Sequence, residues 1–579
     1  MKCLLVAINS KYIHSNPAVY LLMECAQKRN IGEVEIELAE YTINHHASEI
    51  FDDIYLHHAD IVCFSTYIWN VEYVRQLVRN LKNLCPETKI WLGGPEVSYD
   101  CESCLRSLPQ ADGILYGEGE ESFPKLLEYY AGLNTKENKD LPDGCAWIDE
   151  KGVFHKTKPC APVSMEALPF IYKKAGRMDS FENRIIYYES SRGCPFSCSY
   201  CLSSIDKRLR FRPLEQVKRE LSFFLEKKVP QVKFVDRTFN CKKAHAMEIW
   251  HFIRDNDNHI TNFHFEIAAD ILDEEELELL KTMRPGLIQL EIGVQTANPK
   301  TIEAINRKMN LGRVFEITKK IREAHNIHQH LDLIAGLPYE DYESFGHSFD
   351  TVYSMKPSQL QLGFLKVLKG SLMYEQAKRF GILYQQEPPY EVMKTPWLSY
   401  DDIIRLKGIE EIVEMYYNST QFTNTIRLFE KQYSRPFELF EALSDEYRKA
   451  RLHEKKHSRE SQYQFMLEFA QKRLDIENSL VSQTLTLDYY LRDHARKRPV
   501  FALDQEMYKE EIREVCIDAF KDRSYKDVIR DYHIEVFTPP FVEKKTFVLF
   551  DYKMRDPLDQ NVKIFVIPDK NSFEITSEE

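Results

Sequence analysis

The sequence predicts an α/β protein in three parts. These are an N-terminal doubly wound, Rossmann-like domain, a central complete or partial α/β barrel, and a mostly helical C-terminal domain with a few terminal β-strands. Three observations predict it. Residues 1–131 alternate apolar β-type runs with helix-length segments, a second such alternation starts at Arg184, and from about residue 385 the pattern turns helical. At roughly 100–200 residues per domain, 579 residues make about three to five domains, in keeping with that division.

In the first part the apolar runs are 3–8, 34–39, 61–67, 89–92 and 114–116. Between them lie stretches such as 71–84, where Val71, Val74, Leu77, Val78 and Leu81 recur at helical steps. This alternation means βαβ units and a parallel sheet, whose ligands lie outside the carboxyl ends of the strands. The turns at those ends are Ser65-Thr66, Gly93-Gly94-Pro95 and Gly117-Glu118-Gly119-Glu120. Residues 132–183, rich in Asn, Lys, Asp, Gly and Pro, read as a connector with a hairpin of 145–148 against 153–156. The barrel strands are expected at 185–189, 232–235, 263–267, 287–294, 330–335 and 359–365, six repeats within 184–384. Residues 385–579 carry helical spacing at 400–417, 437–447, 462–474 and 485–491, then β-like runs at 534–537, 546–550 and 562–567.

Composition narrows the function classes. No run reaches the ~18 apolar residues of a membrane span, and the start MKCLLVAINSKYIHS has no signal-peptide core or cleavage site, so a cytoplasmic location is expected. A net charge of −13 argues against a broad grip on nucleic acid and leaves room only for a local basic groove. The basic stretch 448–459 reads first as a solvated face and second as a substrate-contacting patch. Thirteen cysteines without a secretion signal point away from a disulfide framework and toward metal or cluster ligation.

The sharpest signal is Cys194-Pro-Phe-Ser-Cys198-Ser-Tyr-Cys201, three cysteines after an expected strand in a loop opened by Gly193. A cubane iron–sulfur cluster takes four thiolates. Three leave one iron without a protein ligand, which is the open position chemistry needs. A zinc site would want a fourth Cys or His at finger-like spacing, and none follows closely. Cys101 and Cys104 are too few for a second cluster, and Cys3, Cys63 and Cys241 read as buried small hydrophobes. Asp236, Glu266 and Glu291 fall where carboxylates would stand at the barrel mouth, as partners for a sulfonium or ammonium group.

The spacing Cys194-x3-Cys198-x2-Cys201, with Tyr200 before the last cysteine, resembles the cluster loop of the radical S-adenosylmethionine (SAM) enzymes. The resemblance implies a [4Fe–4S] cluster whose open iron is chelated by SAM, and reductive cleavage of SAM to a 5′-deoxyadenosyl radical. It implies an electron donor such as flavodoxin or ferredoxin. It continues at 234–239, with Asp236 near the methionine amino group, and at 265–270, with Glu266; there Ala269 stands where many relatives have Arg. It continues again at 290–296, with Glu291, Gln295 and Arg307 downstream, and at 333–340, with Gly336 where backbone meets adenine.

The first part resembles the cobalamin-binding domain that precedes the barrel in one branch of that superfamily, the carrying residues being Ser65, Thr66, Gly93, Gly94, Gly117 and Glu118. The resemblance implies that these cradle the dimethylbenzimidazole tail. In the best-known cobalamin domains an Asp-x-His-x-x-Gly loop offers a cobalt ligand. Here 12–17 keeps His14 but neither the Asp nor the Gly, so His14 is either that ligand or a loop residue that hydrogen-bonds or touches substrate. Residues 385–579 resemble the uncharacterised domain that some of these proteins carry after the barrel. The function implied is SAM- and cobalamin-dependent modification of a substrate, by methylation or rearrangement. The alternatives are a radical methylthiotransferase acting on RNA or protein and a non-catalytic cobalamin- or SAM-binding regulator.

Overall fold

A computed structural model of the chain describes residues 1–133, 140–174, 176–495, 497–520 and 525–567. The connector expected at 132–183 and the region 385–579 therefore lie partly outside the described residues. The chain forms two compact units, the first made of Met1–Leu279, Glu303–Lys308 and Leu365–Pro396, the second of Leu280–Ile302, Met309–Phe364 and Trp397–Glu579.

The first unit begins with β1 (Lys2–Asn9), α1 (Pro17–Arg29), β2 (Glu35–Thr42), α2 (Ala47–Leu56), β3 (Ile61–Ser65), α3 (Val71–Leu84) and β4 (Lys89–Gly93). Two short helices, α4 (Pro95–Ser98) and α5 (Cys101–Ser107), lead to β5 (Gly113–Leu115), α6 (Gly119–Tyr130) and the hairpin β6 (Cys145–Ile148) and β7 (Phe154–Lys156). The apolar stripe of α3 buries Val71, Val74, Leu77, Val78 and Leu81. Helix α1 opens with Pro17 at its first turn, where the missing N–H costs nothing, and closes on Asn30 in a left-handed cap. The sheet order is β2-β1-β3-β4-β5-β6-β7. The first five strands are parallel and the hairpin extends them antiparallel. Helix α1 packs with α6 and α2 with α3, the doubly wound arrangement expected. Strand order reverses between β1 and β3, which opens a crevice at their carboxyl ends.

The same unit holds β8 (Ile186–Tyr188), β9 (Ser191–Arg192), β10 (Arg210–Phe211), α7 (Leu214–Glu226), β11 (Gln231–Phe234), α8 (Lys243–Asp255) and β12 (Asn262–Ile267). Strands β8, β11 and β12 pair in parallel. Strands β9 and β10 form a two-stranded antiparallel ribbon that closes the base of the loop 193–209.

The second unit carries β13 (Ile288–Gln295), β14 (His328–Ala335) and β15 (Gln359–Phe364), also parallel. All six strands expected of the (β/α)6 part are present, three in each unit. Those of the second unit are not uniformly apolar. Leu290, Ile292 and Val294 on β13 are buried, whereas Gln289, Glu291 and Gln295 alternate with them at intermediate exposure. The helices Tyr400–Ile412, Thr423–Glu430, Pro436–Lys449, Arg459–Arg473 and Asn478–Arg492 follow, then an antiparallel sheet of Tyr532–Phe537, Thr546–Arg555 and Val562–Ile567. The aromatics Tyr416, Phe422 and Tyr463 are fully buried there and pack on one another. In the basic stretch, Arg451 pairs with Glu454, Arg459 with Asp493, and Arg448 donates to the Ile404 carbonyl. Among the described residues no helix is long and apolar enough to cross a membrane.

Candidate functional site

The three cysteines sit on the loop that leaves β9. Gly193 opens it at φ +91, and a Cβ there would collide with the Arg208 backbone, so the turn needs glycine. The Cys194 N–H donates to the Asp206 carbonyl at 3.0 Å, which folds the loop on itself. Ser199, between the second and third cysteines, is fully buried; its N–H donates to the Ile305 carbonyl at 2.9 Å and its carbonyl accepts from the Met373 N–H at 2.7 Å. Cys194 and Cys198 are buried and Cys201 is half-buried. The Cys194 thiol meets the Thr238 hydroxyl at 3.7 Å. Arg307 Nη1 donates to Cys198 Sγ at 3.6 Å and to the Tyr200 hydroxyl at 3.1 Å. Burial alone would favour a neutral Arg307, but Tyr200 and Cys198 outweigh it and hold the guanidinium charged.

Among the described residues no three His, Cys, Asp or Glu side chains converge on a single-ion site. A cubane takes its thiolates at separate iron corners, so three thiols pinned on one loop suit a cluster rather than a lone zinc ion.

Asp236 follows β11 and is fully buried. Its carboxylate accepts from the Ser190 N–H at 2.9 Å, the Ser190 hydroxyl at 2.7 Å and the Ser191 hydroxyl. It thus fastens the residues that enter the cluster loop. Burial pushes its pKa up to about 6 against the pull of those donors. Glu266 lies on β12 at intermediate exposure, between the fully buried Phe265 and the buried Ile267. In the second unit, Glu291 on β13 stands beside His330 on β14 in register. Gln295 takes φ +74 where the register of β13 shifts, and Gly336 takes φ +86 directly after β14.

Glu340, four residues on from Gly336, is buried and accepts from Thr296 at 2.6 Å and Ser348 at 2.8 Å. Burial raises its pKa to about 7. A carboxyl that holds its proton longer folded than unfolded gives stability that is full below the unfolded value and lost as pH rises through the folded one. Glu340→Gln, an isostere of the protonated form, is expected to remove this dependence. Wild-type stability should fall relative to the variant between pH 4.5 and 7, measured by urea midpoints. Parallel curves would refute the assignment.

At the carboxyl edge of the first sheet, the Thr66 N–H donates to the Gly93 carbonyl at 2.7 Å, and Thr66 is fully buried. Ser65 Oγ accepts from Asn16 Nδ2 at 2.8 Å. Gly94 adopts φ +106 against the Thr66 backbone, and Gly117 adopts φ +79 facing open space. On the loops after β1 and β3 and at the end of α4, Tyr12, Ile13, Trp69 and Tyr99 are exposed, with Trp69 stacked on Tyr67 at 4.4 Å. Glycine turns flanked by exposed apolar rings suit a large flat ligand, so the edge fits cobalamin.

Two predicted residues there have partners in the cluster half of the same unit. His14 Nδ1 shares a 2.6 Å hydrogen bond with the Tyr187 hydroxyl. Burial, then Lys11 and Lys233, lower the His14 pKa and keep it neutral. Glu118 accepts from Arg210 Nη1 at 3.0 Å and the Val163 N–H at 2.9 Å. Burial works against its charge, yet Arg210 and the Val163 N–H hold its pKa below the usual carboxylate range. Arg192 pairs with Glu120 at 2.5 Å and Glu189 at 2.7 Å. Glu118 is expected in a ligand cradle, but its network with Glu120, Glu189, Arg192 and Arg210 was invisible to motif reading. Its members are ordinary charged residues in three separate segments, and only the fold places them together.

Comparison with known proteins agrees with this reading. Residues 4–127 match the family model described as B12 binding domain, 188–352 that of the Radical SAM superfamily, and 378–550 that of a protein of unknown function, DUF4080. An uncharacterized methyltransferase of Pyrococcus horikoshii is 26% identical over 275 residues, covering 45% of this chain and 57% of its own. The cobalamin-dependent radical SAM methyltransferase TokK of Streptomyces tokunonensis is 26% identical over 313 residues, covering 49% of this chain and 44% of its own. The chain thus spans about half the length of the curated relatives it matches. The cobalamin-dependent SAM radical enzyme OxsB, solved with aqua-cobalamin and SAM bound, shares the fold at TM-score 0.57 and 14% identity over 84% of this chain and 78% of that one. The chain belongs to the radical SAM superfamily, in the branch that carries a B12 binding domain before the SAM domain, with a further C-terminal domain after it.

Proposed function

We propose that this protein is a cobalamin-dependent radical SAM enzyme that transfers a methyl group to a carbon of its substrate. The observation that carries the reading is that the three-thiol loop and the glycine edge of the B12-type sheet belong to one compact unit, tied through Glu118 and Arg210. When bound, the cluster, SAM and cobalamin supply one-electron cleavage of SAM and the methyl carrier. The chain's own residues position and shield. Cys194, Cys198 and Cys201 hold the cluster. Asp236 fixes Ser190 and Ser191 at the loop entrance, and Tyr200 and Glu266, in the same unit, face SAM. Ser65, Thr66, Gly93, Gly94 and Gly117 admit the cobalamin, and Glu118 braces that edge against the cluster loop. With Nδ1 taken by Tyr187, His14 has Nε2 left for a metal or substrate contact. Tyr12, Trp69 and Tyr99 leave exposed rings on which a flat cofactor can pack. The electron comes from a donor of the flavodoxin or ferredoxin class.

Anaerobic reconstitution tests this. The expected product binds about four irons as one cubane and about one cobalamin per chain. Its reduced-cluster electron paramagnetic resonance (EPR) signal changes on adding SAM, and it forms 5′-deoxyadenosine. A second cluster in place of cobalamin would favour a methylthiotransferase and overturn the proposal.

A further inference from the structure

The three cluster thiols are not equivalent. Cys194 faces the neutral Thr238 hydroxyl at 3.7 Å, whereas Cys198 faces the Arg307 guanidinium at 3.6 Å. Arg307 is held for this contact from two sides. Its Nη1 also donates to the Tyr200 hydroxyl at 3.1 Å, and two residues before it Ile305 accepts the Ser199 N–H at 2.9 Å. Ser199 is itself fixed to Met373 through its carbonyl at 2.7 Å. The segment Glu303–Lys308 belongs to the same compact unit as the loop, so cation and sulfur are parts of one body.

We infer that Arg307 is a positioning residue that raises the reduction potential of the cluster through its hydrogen bond and charge at Cys198. The inference rests on the cluster assignment proposed above. Reduction adds one negative charge to the cluster and its thiolates. The electron comes from a low-potential one-electron donor protein, which is oxidised; no bond breaks and no proton moves. A fixed cation beside one sulfur stabilises the more negative state more than the less negative one, and burial strengthens the effect. Hydrogen bonds to cluster sulfurs are among the features that set these potentials. Tyr200, between Cys198 and Cys201, serves as the second acceptor that orients the guanidinium, giving the aromatic of the cysteine motif a physical role.

The test is an EPR-monitored redox titration of the reconstituted full chain, without SAM, with iron counted in each sample. Arg307→Gln is expected to keep its iron and to shift its reduction equilibrium at least tenfold toward the oxidised form, a midpoint lower by about 59 mV for one electron. Arg307→Lys, which keeps a charge but not the fork, should fall between the two. Equal midpoints in Arg307→Gln and wild type overturn this proposal alone. If Arg307→Gln holds no cluster, Arg307→Lys decides: a lowered midpoint supports the proposal and a wild-type midpoint overturns it. A wild-type chain that takes up no cluster overturns the functional reading, and this inference with it.

Discussion

Cys198→Ala is expected to strip the protein of its cluster and of all SAM cleavage. Losing even an outer-shell partner of a metal ligand costs about 10–100-fold in affinity, and losing a ligand costs more. Bound iron should fall more than about tenfold below wild type, and 5′-deoxyadenosine should drop to background. Cys198 lies on a loop whose backbone is held by Ser199, Ile305 and Met373 through main-chain hydrogen bonds, so the fold should survive and circular dichroism should match wild type. The control is Cys101→Ala. Cys101 is also buried, at 3% exposure, but lies on α5 among the apolar residues under the first sheet. Its thiol donates to the Ser98 carbonyl at 3.4 Å, and its loss should leave iron content unchanged. Full iron in Cys198→Ala, or equal loss in both variants, would remove the site assignment.

Much of the fold was legible because its signals are local. Helix α3 shows in sequence as Val71, Val74, Leu77, Val78 and Leu81, and those same five side chains are buried. The cluster loop was legible because three cysteines at short spacing are rare and their chemistry is narrow. The ties that hold it were not. Asp236 is a charged residue after a strand, and its position suggests a carboxylate meeting a ligand. Its three hydrogen bonds run instead to Ser190 and Ser191, some 46 and 45 positions away in sequence. Glu118 follows a glycine at a strand end and so reads as part of a ligand cradle, yet it is taken by Arg210, 92 positions on. Local pattern reports which residue type stands at a strand end. Only the tertiary fold reports what it faces, because opposite charges find one another in space without regard to sequence distance.

Gly94 and Gly117 make the sharpest contrast at the cobalamin edge, and alanine at each should separate two physical effects. Both take positive φ, +106 and +79, which a Cβ disfavours. At Gly117 nothing lies within 4 Å of where that Cβ would be, so Gly117→Ala should cost the conformational strain alone, about 1–2 kcal/mol. At Gly94 the Cβ would stand 2.5 Å from the Thr66 carbonyl oxygen and 3.1 Å from its nitrogen. Thr66 cannot yield easily, since it is fully buried and its N–H is bonded to Gly93. Overpacking of this kind adds roughly 1–3 kcal/mol. Gly94→Ala should therefore lower stability about 1–3 kcal/mol more than Gly117→Ala, and its Cβ, standing in the cofactor's cradle, should separately weaken cobalamin binding at least about tenfold. Urea midpoints and cobalamin absorbance titrations read the two quantities separately. If Gly94→Ala bound cobalamin as wild type while losing that stability, the turn from β4 to α4 would be a structural corner only, and the cofactor would have to seat elsewhere on the sheet edge.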